Sequence, residues 1–154
     1  MNQRRNTRWL ELAVKARQWA VDAQGQELKL AQAATRSAEA IEQQARQTLA
    51  HALAGRSAVL SRASFAAAEL ADHGAYEGRL RLQIDAAAER ALQAQGEEQS
   101  VREQVIESVS QRDALAGCRD KAHLANREDE ARRAAREHDE LWLIGAAAKT
   151  GGLA

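Results

Sequence analysis

The feature that most constrains this chain is a seven-residue beat of mostly small apolar residues that runs from Val14 to Val59 and again from Leu80 to Ala122, in a sequence of 154 residues without one proline. One series steps through Val14, Val21, Leu28, Thr35, Glu42 and Leu49, and an interleaved one through Ala31, Ala38, Ala45, Ala52 and Val59. Farther on the spacing recurs as Leu80, Ala87, Ala94, Val101, Ser108, Leu115 and Ala122, interleaved with Ile84, Ala91, Glu98, Val105 and Arg112. Apolar residues alternating three and four apart lie along one narrow stripe of an α-helix, which is the seam of a coiled coil. Alanine dominates the stripe, so two helices can approach closely while burying little. Val, Ile and Thr number only 14, too few to supply a sheet. Leu, Ile, Val and Phe total 27, which argues against a thick core of the kind that encloses an enzyme site. Disorder is disfavoured by the lack of proline and of net charge, 22 basic against 22 acidic residues. The fold class predicted is all-α, an elongated antiparallel two-helix coiled-coil hairpin, with short helices at the tip as a variant.

Glycine is the strongest punctuation present, and only Asp72-His73-Gly74-Ala75-Tyr76-Glu77-Gly78 combines two glycines with turn formers. This predicts one hairpin unit over 1–145, with a first helix over about 7–72, a bend over 72–78 and a second helix over about 79–145. The residues 146–154 are predicted to be a flexible tail. A fold about residue 75 would set Ile41 against Val109, Ala45 against Val105, Leu49 against Val101, Leu28 against Ala122, and Leu10 near Leu141. A second possibility is that Gly55, Ser57, Ser61 and Ser64 break the first helix early and leave Phe65–Leu70 as a separate short helix.

Charge neutrality disfavours nucleic acid as a partner, because such binders carry a basic excess that displaces phosphate counterions. The start is locally basic (Arg4, Arg5, Arg8, Lys15, Arg17), but Glu11, Lys15 and Arg17 interrupt the apolar run a secretion signal needs. No stretch approaches the apolar length of a membrane span, so no stable membrane insertion is expected. The lone Cys118 excludes an intrachain disulfide framework and fits a reducing cytoplasm.

The chemistry-bearing residues favour no reaction. Asp129 with Glu130 and Asp139 with Glu140 lack the concave pocket that shifts a catalytic carboxylate. His51, His73, His123 and His138 are far apart, with no zinc-type spacing, so no metal is expected. Cys118 has no histidine at helical spacing, and no phosphate-binding glycine loop exists. No enzyme activity and no cofactor are expected.

The informative residues are the apolar ones the seam leaves out. Trp9, Leu12, Ala16, Trp19 and Ala23 form a second stripe on the first helix, turned away from Leu10, Val14, Val21 and Leu28. Leu141-Trp142-Leu143-Ile144 is apolar on every face, and the predicted hairpin brings it beside Trp9 and Leu12. Two readings stand: an aromatic clasp closing the open end, or a docking surface for another protein. Phe65, Leu70, Tyr76, Leu80, Leu82 and Ile84 gather at the predicted tip, either to pack the turn or to offer a second surface. The stretch Asn126–Glu140 mixes both charges, with i,i+4 pairs such as Glu128 with Arg132 and Arg133 with Glu137 that support a solvated helix.

The start RWLELAVKARQWA, the YEGRLRLQI after the glycine break, the late LANREDE followed by HDELW, and the chain length together resemble the FliJ/YscO (SctO) family of type III secretion central-stalk proteins, in its Hrp-type branch. The resemblance implies a non-enzymatic cytoplasmic stalk, peripheral to the secretion apparatus at the inner membrane. Its terminal helices would enter the hexameric secretion ATPase, at Trp9, Leu12, Trp19, Arg132, Arg136 and Trp142. Its middle would face the cytosolic domain of the export gate, at Phe65, Tyr76, Leu80 and Leu82. The alternatives are a coiled-coil adaptor or escort chaperone that binds secretion substrates or other chaperones, and a peripheral membrane binder using the basic, Trp-containing start.

Overall fold

The stripe of small apolar residues is used as the seam between two long helices. A computed structural model describes the backbone of residues 2–151 and the side chains of residues 7–147. Helix α1 spans Asn2–Leu60 and helix α2 spans Ala67–Gly151, and no strand occurs among the described residues. At 1.5 Å per residue, α1 is about 90 Å long. No described residue has a positive φ or a cis peptide. Every residue in the two predicted series of α1, and in both series of α2, is buried or half-buried.

The bend lies over residues 61–66, not 72–78. Gly74 and Gly78 sit inside α2 with helical backbone. Glycine within a helix costs about 1 kcal/mol relative to alanine, and the Ala, Glu and Arg residues around this pair carry the helix through. Serine ends α1 instead. The Ser61 Oγ donates to the carbonyl of Ala58 at 2.8 Å, the Ser61 amide to Ser57 at 3.1 Å, and the Arg62 amide to Val59 at 3.1 Å. Serine hydroxyls compete for backbone partners in this way and favour helix ends over interiors. The early break near the serines, weighed as a second possibility, is therefore the one found, but Phe65–Leu70 is no separate helix. Phe65 and Ala66 belong to the connection, and α2 starts at Ala67. At the other end α2 continues to Gly151, so residues 146–151 extend the helix. Residues 152–154 of the predicted tail lie outside the described residues.

Moving the bend moves every pairing. The Thr35 hydroxyl donates across the seam to the carbonyl of Ala94 at 3.2 Å. Gln95 donates to Glu39 at 2.8 Å, and Arg56 pairs with Glu77 at 3.1 Å. Leu49, expected against Val101, shares a hollow with Ile84. The predicted pairs Ile41–Val109, Ala45–Val105 and Leu28–Ala122 belong to the same displaced register, and Ile41 is exposed.

Packing divides the chain into two units. One comprises Asp22–Ile106, and the other Met1–Val21 with Glu107–Ala154. Among the described residues, the first holds the well-buried apolar ones: Ala52, Val59, Leu80, Ala87 and Ala91. Three of the five are alanines, and a buried methyl group contributes only about 0.8 kcal/mol. Polar residues interrupt this seam and are accommodated individually. Glu42 and Glu98 are drawn outward by Arg46 and Arg102 one turn on, at 2.6 and 2.7 Å. Glu77 is 2% exposed and holds Arg56 through one carboxylate oxygen; the other has no hydrogen-bond partner. Across the turn, Arg62 pairs with Glu69 at 2.9 Å.

Candidate docking surfaces

In the unit of the two chain ends, α1 meets α2 through Leu10, Val14, Gln18 and Val21, all half-buried. Arg112 donates to Gln18 at 3.0 Å, and His123 Nε2 lies 3.2 Å from Glu11. The second stripe turns away from this seam, as 100° per residue requires. Trp9 is 61% and Trp19 73% exposed, and Leu12, Ala16 and Ala23 are exposed with them.

The expected aromatic clasp does not form. The Glu11–His123 contact sets Trp9 and Leu12 at the level of His123, whereas Trp142 lies nineteen residues farther along α2, about 28 Å at helical rise. Trp142 is 67% exposed, and Leu141, Leu143 and Ile144 are exposed beside it. Every side chain from 131 to 145 is exposed. Four consecutive apolar residues on such a helix point to all sides, so no face of the segment is shielded. Of the six residues expected to meet an ATPase, Trp9, Leu12 and Trp19 thus form one surface, while Arg132, Arg136 and Trp142 belong to a second. Arg132 pairs with Asp129 at 2.8 Å, an i,i+3 contact in place of the expected i,i+4 pair with Glu128.

In the other unit, the four residues expected at an export gate do not converge. Phe65 is exposed on the connection, and Tyr76 is exposed with the Arg79 guanidinium 6.0 Å from its ring centre. Leu82 is exposed six residues on from Tyr76, a different side of the helix. Leu80 is only 4% exposed: its place in the heptad commits it to the seam, and it is removed from the docking set.

A surface not singled out from the sequence lies in the same unit. Arg46, Leu49, Leu53, Arg81, Ile84 and Asp85 line an open hollow of about 330 Å³ between the helices. Its signal was legible as Leu53 and Leu60, one heptad apart and adjacent to the seam, a place that two-stranded coils ordinarily fill with charge. Among the described residues, no three His, Cys, Asp or Glu side chains are placed to hold a metal ion. Cys118 is exposed. No helix of the described residues is long and apolar enough to cross a membrane. No family model, curated protein or solved structure matches this chain.

Proposed function

We propose that the chain is a non-enzymatic central stalk of a type III export apparatus. In this reading the unit of the chain ends engages the hexameric export ATPase, and the unit bearing the turn faces the cytosolic domain of the export gate. The observation that carries the reading is the state of α2 over residues 131–145, where every side chain is exposed, Leu141-Trp142-Leu143-Ile144 among them. Water-exposed apolar clusters of this kind mark protein interaction sites, and Trp and Arg are the residues that anchor them. The Trp9, Leu12 and Trp19 stripe supplies a second contact on α1. A narrow helix pair suits entry into the pore of a ring, where unequal contacts bias the subunits and the ring supplies the chemistry. At the turn, Phe65, Tyr76 and Leu82 remain as gate-facing candidates.

The test is ATP hydrolysis by a hexameric export ATPase with and without the chain. Stimulation is expected, with loss on Trp19→Ala or Trp142→Ala while the helical signal is retained. No stimulation at saturating chain rejects the stalk. The same exposed tryptophans favour one other reading, an adaptor or escort chaperone, for which saturable binding of secretion substrates without any effect on the ATPase is the distinguishing result.

A further inference from the structure

The α1 part of the chain-end unit, Met1–Val21, departs from the neutrality of the whole chain: it holds five basic residues and one acid, Glu11. Glu11 is turned to α2, where His123 Nε2 lies 3.2 Å away. At 100° per residue, Trp9, Leu12, Ala16 and Trp19 share an arc of about 80°, and Arg8 and Lys15 lie within about 40° of one edge of that arc. All six side chains are exposed, and Arg8 and Lys15 have no ion pair among the described residues. The rim of this stripe is therefore basic, with its one nearby acid engaged on another side of the helix. Trp9 and Trp19 stand about 15 Å apart along the axis, on a convex line filled in by Leu12 and Ala16.

We infer that this stripe rests on an anionic lipid surface, with the two indoles at the headgroup level and Arg8 and Lys15 against lipid phosphates. A tryptophan ring is apolar with a single N–H donor, and it collects at the boundary between headgroups and acyl chains. A helix with such a face and bases beside it lies in the plane of the interface, and no helix of the described residues is long and apolar enough to cross a membrane. A straight line of side chains on one convex helix is a shape that a plane meets along its whole length, and the unpaired bases on its rim fix the sign of that plane. Long basic side chains reach the phosphates while their methylene stems stay against the apolar stripe. The inference goes beyond the stalk reading and does not rest on it: lipid would hold the stripe that the stalk offers to the ATPase, and the test contains no ATPase.

The full-length chain carrying Trp142→Phe, so that emission reports Trp9 and Trp19, is titrated with vesicles of phosphatidylcholine containing about 30% phosphatidylglycerol, and in parallel with vesicles of phosphatidylcholine alone. At low salt, flotation with the anionic vesicles and a blue shift of the emission are expected, with binding to the neutral vesicles at least about tenfold weaker. Arg8→Gln with Lys15→Gln should weaken anionic binding about 20-fold, and about 0.5 M salt should weaken it as well. Trp9→Ala with Trp19→Ala should remove it, and both pairs of changes should leave the melting curve unchanged. Absence of flotation, equal binding to the two kinds of vesicle, or indifference to the tryptophan pair overturns the inference. So does loss of binding when Leu141, Trp142, Leu143 and Ile144 are replaced by serine, because the contact then lies on α2. Tighter binding to soluble polyglutamate that depends on Trp9 and Trp19 also overturns it, because the occupant is then an acidic polypeptide.

Discussion

Gly74 and Gly78 have helical backbone, and no atom lies within 4 Å of the point where a Cβ would stand on either. Both positions therefore accept alanine without a clash. Because glycine costs a helix interior about 1 kcal/mol, Gly74→Ala and Gly78→Ala are each expected to raise unfolding stability by about 0.5–1 kcal/mol in urea titrations. Destabilisation by either change would return the bend to 72–78. Glu77 presents the opposite case at the same scale. Its carboxylate is buried with one oxygen unpartnered, while Arg56, more than a third exposed, can reach water once released. Replacing a buried ion by an apolar residue of similar size is often neutral or stabilising. Glu77→Leu should accordingly hold or raise the melting temperature, and Arg56→Ala should lower stability by about 1–2 kcal/mol by stranding the carboxylate. The same pair shows what the polar residue contributes in exchange: it binds one level of α1 to one level of α2.

That question of level is where the helices were only half legible. The heptad spacing located the seam residue by residue, including intruders as unpromising as Glu42, Glu98 and Arg112, all of them half-buried. The register was not legible, because a seven-residue repeat looks the same after sliding by a whole heptad, so the pairing is left to the turn and to irregular contacts. Here those are the serine hydroxyls at the end of α1, the Thr35–Ala94 hydrogen bond and the Arg56–Glu77 pair. Glycine is the stronger helix breaker by intrinsic propensity, yet a helix rich in alanine, glutamate and arginine tolerates it at Gly74 and Gly78. Serine supplies the local hydrogen bonds that end the helix. Exposure was legible in the same uneven way: Trp9, Trp19 and Trp142, which lie outside the seam, are exposed, while Leu80 is buried in it. The register has a direct check. In a Cys118→Ser background, Leu49→Cys with Ile84→Cys should join efficiently under a short bis-maleimide, read as a mobility shift after denaturation. Leu49→Cys with Val101→Cys should not, and the reverse outcome would restore a fold about residue 75.

For the molecule as a whole, the division is between residues that hold the helices together and residues that do not. Among the described residues the buried apolar side chains lie in Asp22–Ile106, whereas the chain-end unit contributes the buried polar Thr7 and Ser108, half-buried seam residues and a stretch of helix whose side chains from 131 to 145 are all exposed. Substitutions on exposed positions away from packed features usually change stability by no more than about 0.5 kcal/mol. Replacing Leu141, Trp142, Leu143 and Ile144 together by serine should therefore leave the unfolding midpoint of the hairpin almost where it was. A small loss of helical ellipticity is expected near the C-terminus, since serine is a weaker helix former and this stretch has no neighbour to hold it. Function should respond differently. If this segment is the anchor for another protein, the same variant loses that contact entirely, so stimulation of the export ATPase should vanish while the melting curve barely moves. A large drop in midpoint would mean that the four residues are packed in solution, and unchanged stimulation would mean that the anchor lies elsewhere, on the Trp9 and Trp19 stripe.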